Sequence, residues 1–151
     1  MSFDANSFLS AVVTASNSTV VVPCPIGEYH GIIDKISPRQ WQSKDGTKSG
    51  IALDVFWNIE DASVKQLLNR ETIVVKQGIM LDLNAQGGLS TEEGSNVALG
   101  RLRASVGKNN PGEAFSFEML PGLSAKVSVM HRPDPQNTEN VFAEVKAVAP
   151  L

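Results

Sequence analysis

The sequence predicts a mainly β fold. Five segments alternate apolar with polar side chains, a single amphipathic segment separates the third from the fourth, and the connections are rich in Gly, Pro and Asn. With 151 residues, 42% of them hydrophobic and 19% charged, the chain has the size and composition of one compact domain.

The N-terminal segment, residues 1–22, is rich in Ser, Thr, Asn, Ala and Val and is predicted to be an arm or a short helix. Its apolar side chains recur at helical spacing behind Asn6: Phe8, Leu9, Val12 and Val13. Two prolines then impose extended backbone at residues 23–25. We therefore expect the folded domain to span residues 23–151.

The first predicted strand runs from Gly27 to Ile36. Its apolar phase changes near Gly31, which predicts a bulge at that glycine. The following stretch, Ser37 to Gly50, is polar and basic and is predicted to be a loop, with a tight hairpin turn at its Asp-Gly dipeptide.

The second and third strands carry the clearest alternation. In the second strand the predicted core face is formed by Ile51, Leu53, Val55, Trp57 and Ile59, and the outward face by Ala52, Asp54, Phe56 and Asn58. In the third strand the core face is formed by Ile73, Val75, Ile79 and Leu81. Lys76 lies on the outward face, Gly78 is predicted to mark a bend, and a helical turn is predicted between the two strands, near Val64 to Leu68.

A helix and two strands complete the predicted order. The helix begins at Asn96, buries a stripe formed by Leu99, Leu102 and Val106, and stops at Gly107. The last strands lie near residues 125–130 and 141–147, joined by a stiff loop at Arg132 to Pro135. Five strands with a helix between strands 3 and 4 is the order of the OB-fold, a Greek-key barrel, although another antiparallel barrel or a small sandwich would give a similar pattern.

Composition and motifs argue against catalysis, metal binding and membrane insertion. The net charge of -3 excludes a histone-like protein, and the single Cys24 cannot form an intramolecular disulfide or a C-x-x-C site. No apolar run reaches the roughly 20 residues of a membrane helix. Only His30 and His131 could act as imidazole bases, and His131 ends a strand next to Arg132 with no acidic partner nearby in sequence. No metal or cofactor motif is present. We expect a cytoplasmic, non-enzymatic protein without a cofactor.

The chain offers aromatic side chains and cations in segments that a single-stranded nucleic acid could contact. The predicted stacking platforms are Tyr29, Trp41 and Phe56, and the predicted phosphate contacts are Lys44, Lys48, Lys76 and Arg132. Trp41 lies in a basic, polar segment with little core nearby. For Phe56, burial beneath a helix or the arm is an alternative. Asp54 on the same face would repel phosphate and counts against binding there.

Several motifs together resemble a bacteriophage family of single-stranded-DNA-binding proteins with an OB-fold. They are Gly27–Tyr29, Asp54–Asp61, Ile79–Leu83, Asn96–Arg103 and Phe142–Val148. The most specific is the Asn-Val-x-Leu-Gly-Arg-Leu-Arg helix. The resemblance covers roughly residues 23–150 and implies coating of exposed strands during phage replication or recombination, without catalysis, in the host cell cytoplasm. Many such proteins end in an acidic tail, whereas this chain stops at Leu151 after the last strand, so recruitment through such a tail is not expected.

The leading prediction is thus a sequence-tolerant single-stranded-DNA-binding protein. The alternative is an OB-like or sandwich protein that binds another protein, such as a phage accessory or assembly factor, through Phe56 and the N-terminal arm. The acidic net charge and Asp54 favour this second interpretation. Preference for DNA over RNA, strand polarity, site size, cooperativity, homo-oligomerisation and partner proteins are left open.

Overall fold

The computed structural model describes residues 3–137 and 139–151 and is mainly β. The strands are β1 (Gly27–Gln42), β2 (Ser49–Ile59), β3 (Val74–Met80), β4 (Ser124–Pro133) and β5 (Val141–Ala149). The helices are α1 (Ala5–Leu9), α2 (Ala62–Leu68) and α3 (Val97–Ser105), with a short 3-10 turn at Phe117–Met119. In the described part of the chain, no helix is long and apolar enough to cross a membrane.

The five strands form one sheet that closes into a ring in the order β1-β2-β3-β5-β4. Neighbours are antiparallel except β3 and β5, whose parallel contact places Lys76 opposite Glu144. The ring has α3 between β3 and β4 in chain order. The predicted mainly β class, the five strands and the helix after the third strand are confirmed.

The core fills the interior of the ring around Trp57. Its side chain is fully buried, and its Nε1 donates a hydrogen bond to Gln77 Oε1 at 2.9 Å. Gly31 leaves room for this indole, because a Cβ there would lie 3.0 Å from the Trp57 ring and 3.1 Å from Val127. The glycine in β1 therefore serves close packing in the core rather than a bulge.

Two predicted irregularities are wrong. The bulge in β1 falls at Asp34, between Ile33 and Lys35, where an exposed polar residue can be extruded into solvent while Ile33 stays in the core. Gly78 sits in unbroken register opposite Asp54, in place of the predicted bend.

The strands β1 and β4 are longer than predicted. Residues 37–42 continue β1 as one arm of a hairpin, so Arg39 and Trp41 lie in a strand and not in a loop. The Asp-Gly turn is confirmed, with Gly46 at φ +75°. Likewise, Arg132 belongs to β4, opposite Phe142. These strand ends extend beyond the core and pair through their backbones. Because neither side of them faces the core, their side chains do not alternate between apolar and polar residues.

The N-terminal segment contains the short helix α1. Asp4, rather than Asn6, caps it, with its carboxylate accepting hydrogen bonds from the backbone N–H groups of Asn6 and Ser7. The helix ends at Leu9, before Val12 and Val13, and the apolar side chains of this segment are exposed.

Candidate functional site

The outward face of β1, β2 and β3 surrounds one aromatic ring with cations. Phe56 of β2 lies between Lys35 of β1 and Lys76 of β3, its partners in the two ladders. The Lys35 Nζ lies 4.9 Å from the centre of the Phe56 ring. Phe56 is partly exposed, so a flat ligand and an anionic group could be held at neighbouring points of this face.

A second aromatic and cation pair lies on β4 and β5, where β5 meets β3. Arg132 is opposite Phe142, its guanidinium carbon 5.5 Å from the centre of the Phe142 ring. The Phe142 side chain is 43% exposed although it belongs to a well-paired strand. Phe142 was not among the site residues predicted from the sequence. The available signal was a large aromatic that alternates with the apolar Val141, Ala143 and Val145, in phase with the charged Glu144 and Lys146.

A groove of about 670 Å³ runs along the contact between β3 and β5 and is lined by Arg132 and Phe142 of the second pair. Cationic, acidic and aromatic side chains line it together with one glycine of β3. The lining includes Arg39, Lys76, Gly78, Arg132, Phe142, Glu144 and Lys146. The sequence-predicted residues Lys76 and Arg132 therefore meet in one groove, and Phe56 lies beside it on the adjacent strand.

Both carboxylates of this face are compensated by cations. Asp54, 8% exposed, accepts hydrogen bonds from Arg39 Nε at 3.0 and 3.2 Å. Glu144 lies 3.7 Å from Arg132 Nε and 3.3 Å from Lys146 Nζ. The repulsion expected from Asp54 is thus cancelled by Arg39, and the face is positive on a chain whose net charge is -3.

Trp41 lies on the same outward surface but outside the groove. Its indole packs on Gly50, its partner in β2, where an added Cβ would come within 2.8 Å of Trp41 Nε1. This buried Nε1 has no hydrogen-bond partner among the described residues. Beyond it, Lys44 and Lys48 are exposed at the hairpin end. The structure does not bring these three residues to the groove.

Tyr29 lies on the inner side of β1, against the core. Its hydroxyl donates a hydrogen bond to the Pro25 carbonyl at 2.9 Å, and burial raises the pKa of the phenol. Because the bulge at Asp34 reverses the phase of β1, Tyr29 faces inward while Lys35 faces outward. Tyr29 is therefore not joined to the other predicted stacking residues.

A separate depression of about 540 Å³ lies against α3. Two cations line it, Arg103 and the exposed Arg101, and Arg103 is already engaged, with Nε donating to the Lys108 carbonyl at 2.9 Å and the guanidinium 4.1 Å from the Phe115 ring. The described residues contain no group of three or more His, Cys, Asp or Glu side chains that could hold a metal ion. The groove between β3 and β5 is the better candidate for a ligand.

No protein-family model matches the chain, and no curated protein matches it. What the protein does is therefore inferred from the chemistry of the groove and its surroundings.

Proposed function

We propose that this protein binds single-stranded DNA with little sequence preference and coats exposed strands during phage replication or recombination. The observation that carries the proposal is the pair of aromatic and cation contacts on either side of the groove, Phe56 with Lys35 and Lys76, and Phe142 with Arg132. Stacking surfaces combined with cations are what sequence-tolerant single-strand binding requires.

The strand arrangement supports an OB-fold as the scaffold. An OB-fold is a five-stranded Greek-key barrel that binds oligonucleotides on the face of its second and third strands. Here the ring order is β1-β2-β3-β5-β4, a helix follows β3, and Phe56 and Lys76 stand on β2 and β3. Phe56 and Lys76 therefore stand on the two strands that such a fold uses for single strands, and the groove lies next to them.

In the proposed complex, bases stack on the rings of Phe56 and Phe142. The phosphates lie near Lys35, Lys76 and the partly exposed Arg132. A duplex keeps its bases paired and stacked on one another, so it cannot use the two aromatic rings. The groove should therefore distinguish single strands, whose bases are unpaired, from duplexes, without distinguishing one base from another.

Removing the two rings tests the proposal. Phe56→Ala and Phe142→Ala should each weaken binding of a labelled oligo-dT by about five- to 150-fold, the effect of about 1–3 kcal/mol for one stacked base. Phe8→Ala in α1 is the control, because it also removes an exposed phenylalanine. Wild-type affinity in both groove variants would exclude this face as the binding site.

A protein-interaction role is the second candidate, and the exposed N-terminal segment favours it. Large apolar side chains there contact solvent, among them Leu9 at 79% and Val12 at 87% exposure. Sedimentation across a range of concentrations tests this role. A mass that rises with concentration, together with no affinity for any oligonucleotide, would place this function first.

A further inference from the structure

We propose that Gly78 is the floor of the nucleotide-binding groove, the point where a base of the bound strand lies directly against the backbone of β3. The proposal rests on the proposed single-strand binding and adds to it a residue without a side chain. A glycine inside a strand weakens that strand, because it packs nothing and loses more conformational entropy than other residues. Its presence in β3 therefore needs a physical reason.

Two structural reasons for a strand glycine fail at Gly78. It is not at a bulge, since β3 keeps its register with β2 on both sides of Gly78, and its φ does not lie in the left-handed region. It is not required by packing either. A Cβ at Gly78 would meet Asp54 Oδ1 at 3.8 Å, an ordinary van der Waals contact.

The other strand glycines of the sheet interior show the contrast. A Cβ at Gly31 would come within 3.0 Å of Trp57, and one at Gly50 within 2.8 Å of Trp41. Those positions are reserved for a neighbouring side chain of the same molecule. At Gly78 the molecule itself leaves room for a side chain, so the reason for glycine lies outside the free protein.

The position of Gly78 indicates what approaches it. It lies in the groove lining, opposite Asp54 of β2 and two residues after Lys76, with Lys146 of β5 also in the lining. A flat, uncharged base can lie against the exposed backbone at Gly78 while the phosphates on either side of that base lie near Lys76 and Lys146. A nucleobase of a single strand has that combination of a planar face and flanking negative charge.

The test uses Gly78→Ala and Gly78→Val in the full chain, measured by thermal unfolding and by affinity for labelled oligo-dT. Because the fold has room for a Cβ at Gly78, the Tm of Gly78→Ala should stay equal or rise. The Val variant, which fills more of the space above the backbone, should lose about tenfold in affinity, the loss of roughly one base contact. Gly100→Ala is the matched control. An added Cβ there also has open space, but it lies on α3 outside this groove, so Tm should rise and affinity should not change.

Failure of this inference can be distinguished from failure of the proposed single-strand binding. Wild-type affinity in a stably folded Gly78→Val variant would overturn the inference while leaving single-strand binding intact. A lowered Tm in both Gly78 variants would show that β3 needs the glycine for its own fold, and would also overturn it. Absence of oligo-dT binding by the wild-type protein would instead refute the proposed function.

Discussion

The charge of the groove predicts how steeply binding depends on salt. The cations of this face are Lys35, Arg39, Lys76, Arg132 and Lys146, and its carboxylates are Asp54 and Glu144. Their difference is a net charge of about three, and for a single strand each neutralised phosphate contributes about −0.7 to the slope of log K against log salt. The slope should be about −2, so that affinity falls about twentyfold between roughly 50 and 200 mM salt.

Lys76→Gln changes this slope by a calculable amount. With one cation fewer the slope should be about −1.4, and the same rise in salt should weaken binding only about sevenfold. Fluorescence anisotropy of a labelled oligo-dT at several NaCl concentrations measures both slopes. Lys126→Gln is the control, because Lys126 lies on β4 opposite His30 of β1, outside the groove lining. It should leave the slope unchanged.

The opposite pattern would refute the reasoning. If Lys126→Gln lowered the slope and Lys76→Gln did not, the strand would bind on the other side of the ring. A wild-type slope near −3.5 would mean that about five phosphates are neutralised, either because the two carboxylates do not offset the five cations of this face or because Lys44 and Lys48 at the hairpin end also take part.

Two further predictions concern the fold that holds the groove. Trp57→Phe should lower the free energy of unfolding by about 2–4 kcal/mol in urea titrations, because buried Gln77 Oε1 loses its donor and the core loses ring volume; a change below about 0.5 kcal/mol would contradict this. Hydrogen bonds from Ser43 and Thr47 lower the pKa of Asp45 from 3.8 to about 2. The pKa of Asp45 is lower in the folded protein than in the unfolded chain, so the ionised carboxylate stabilises the turn fully above about pH 4, and this stabilisation is lost as pH falls through about 2. An NMR titration that follows the Thr47 amide should therefore show a pKa of about 2 and not one near 4.

The alternation of apolar and polar residues predicted the strands that bury one face in the core and expose the other to solvent. The second and third strands place Trp57 inside and Phe56 and Lys76 outside, as their spacing indicated, because each strand separates core from solvent. The ends of β1 and β4 extend past the core and have no such contrast. Arg39 and Arg132 were therefore assigned to loops although both belong to strands.

The candidate site was only partly predictable, because pairing across strands decides which side chains meet. The polar sequence around Trp41 predicts a side chain with little core nearby, yet its partner Gly50 gives the indole a packing surface that no local pattern reveals. The role of Arg39 depends equally on its contact with Asp54, which is fifteen positions away in the sequence. The meeting of Phe142 with the groove required the pairing of β5 beside β3, a non-local contact that no local sequence pattern reveals.

Titration of the purified full chain with a labelled oligo-dT, beside a duplex of the same length, tests the central claim most directly. If the protein binds single strands as proposed, the single strand should bind saturably and less tightly as salt rises. The duplex should bind far more weakly, because only unpaired bases can stack on Phe56 and Phe142. Trp57 is fully buried, so its emission should change little even when the strand is bound. Equal affinity for duplex and single strand, or no binding of either at low salt, would contradict the account.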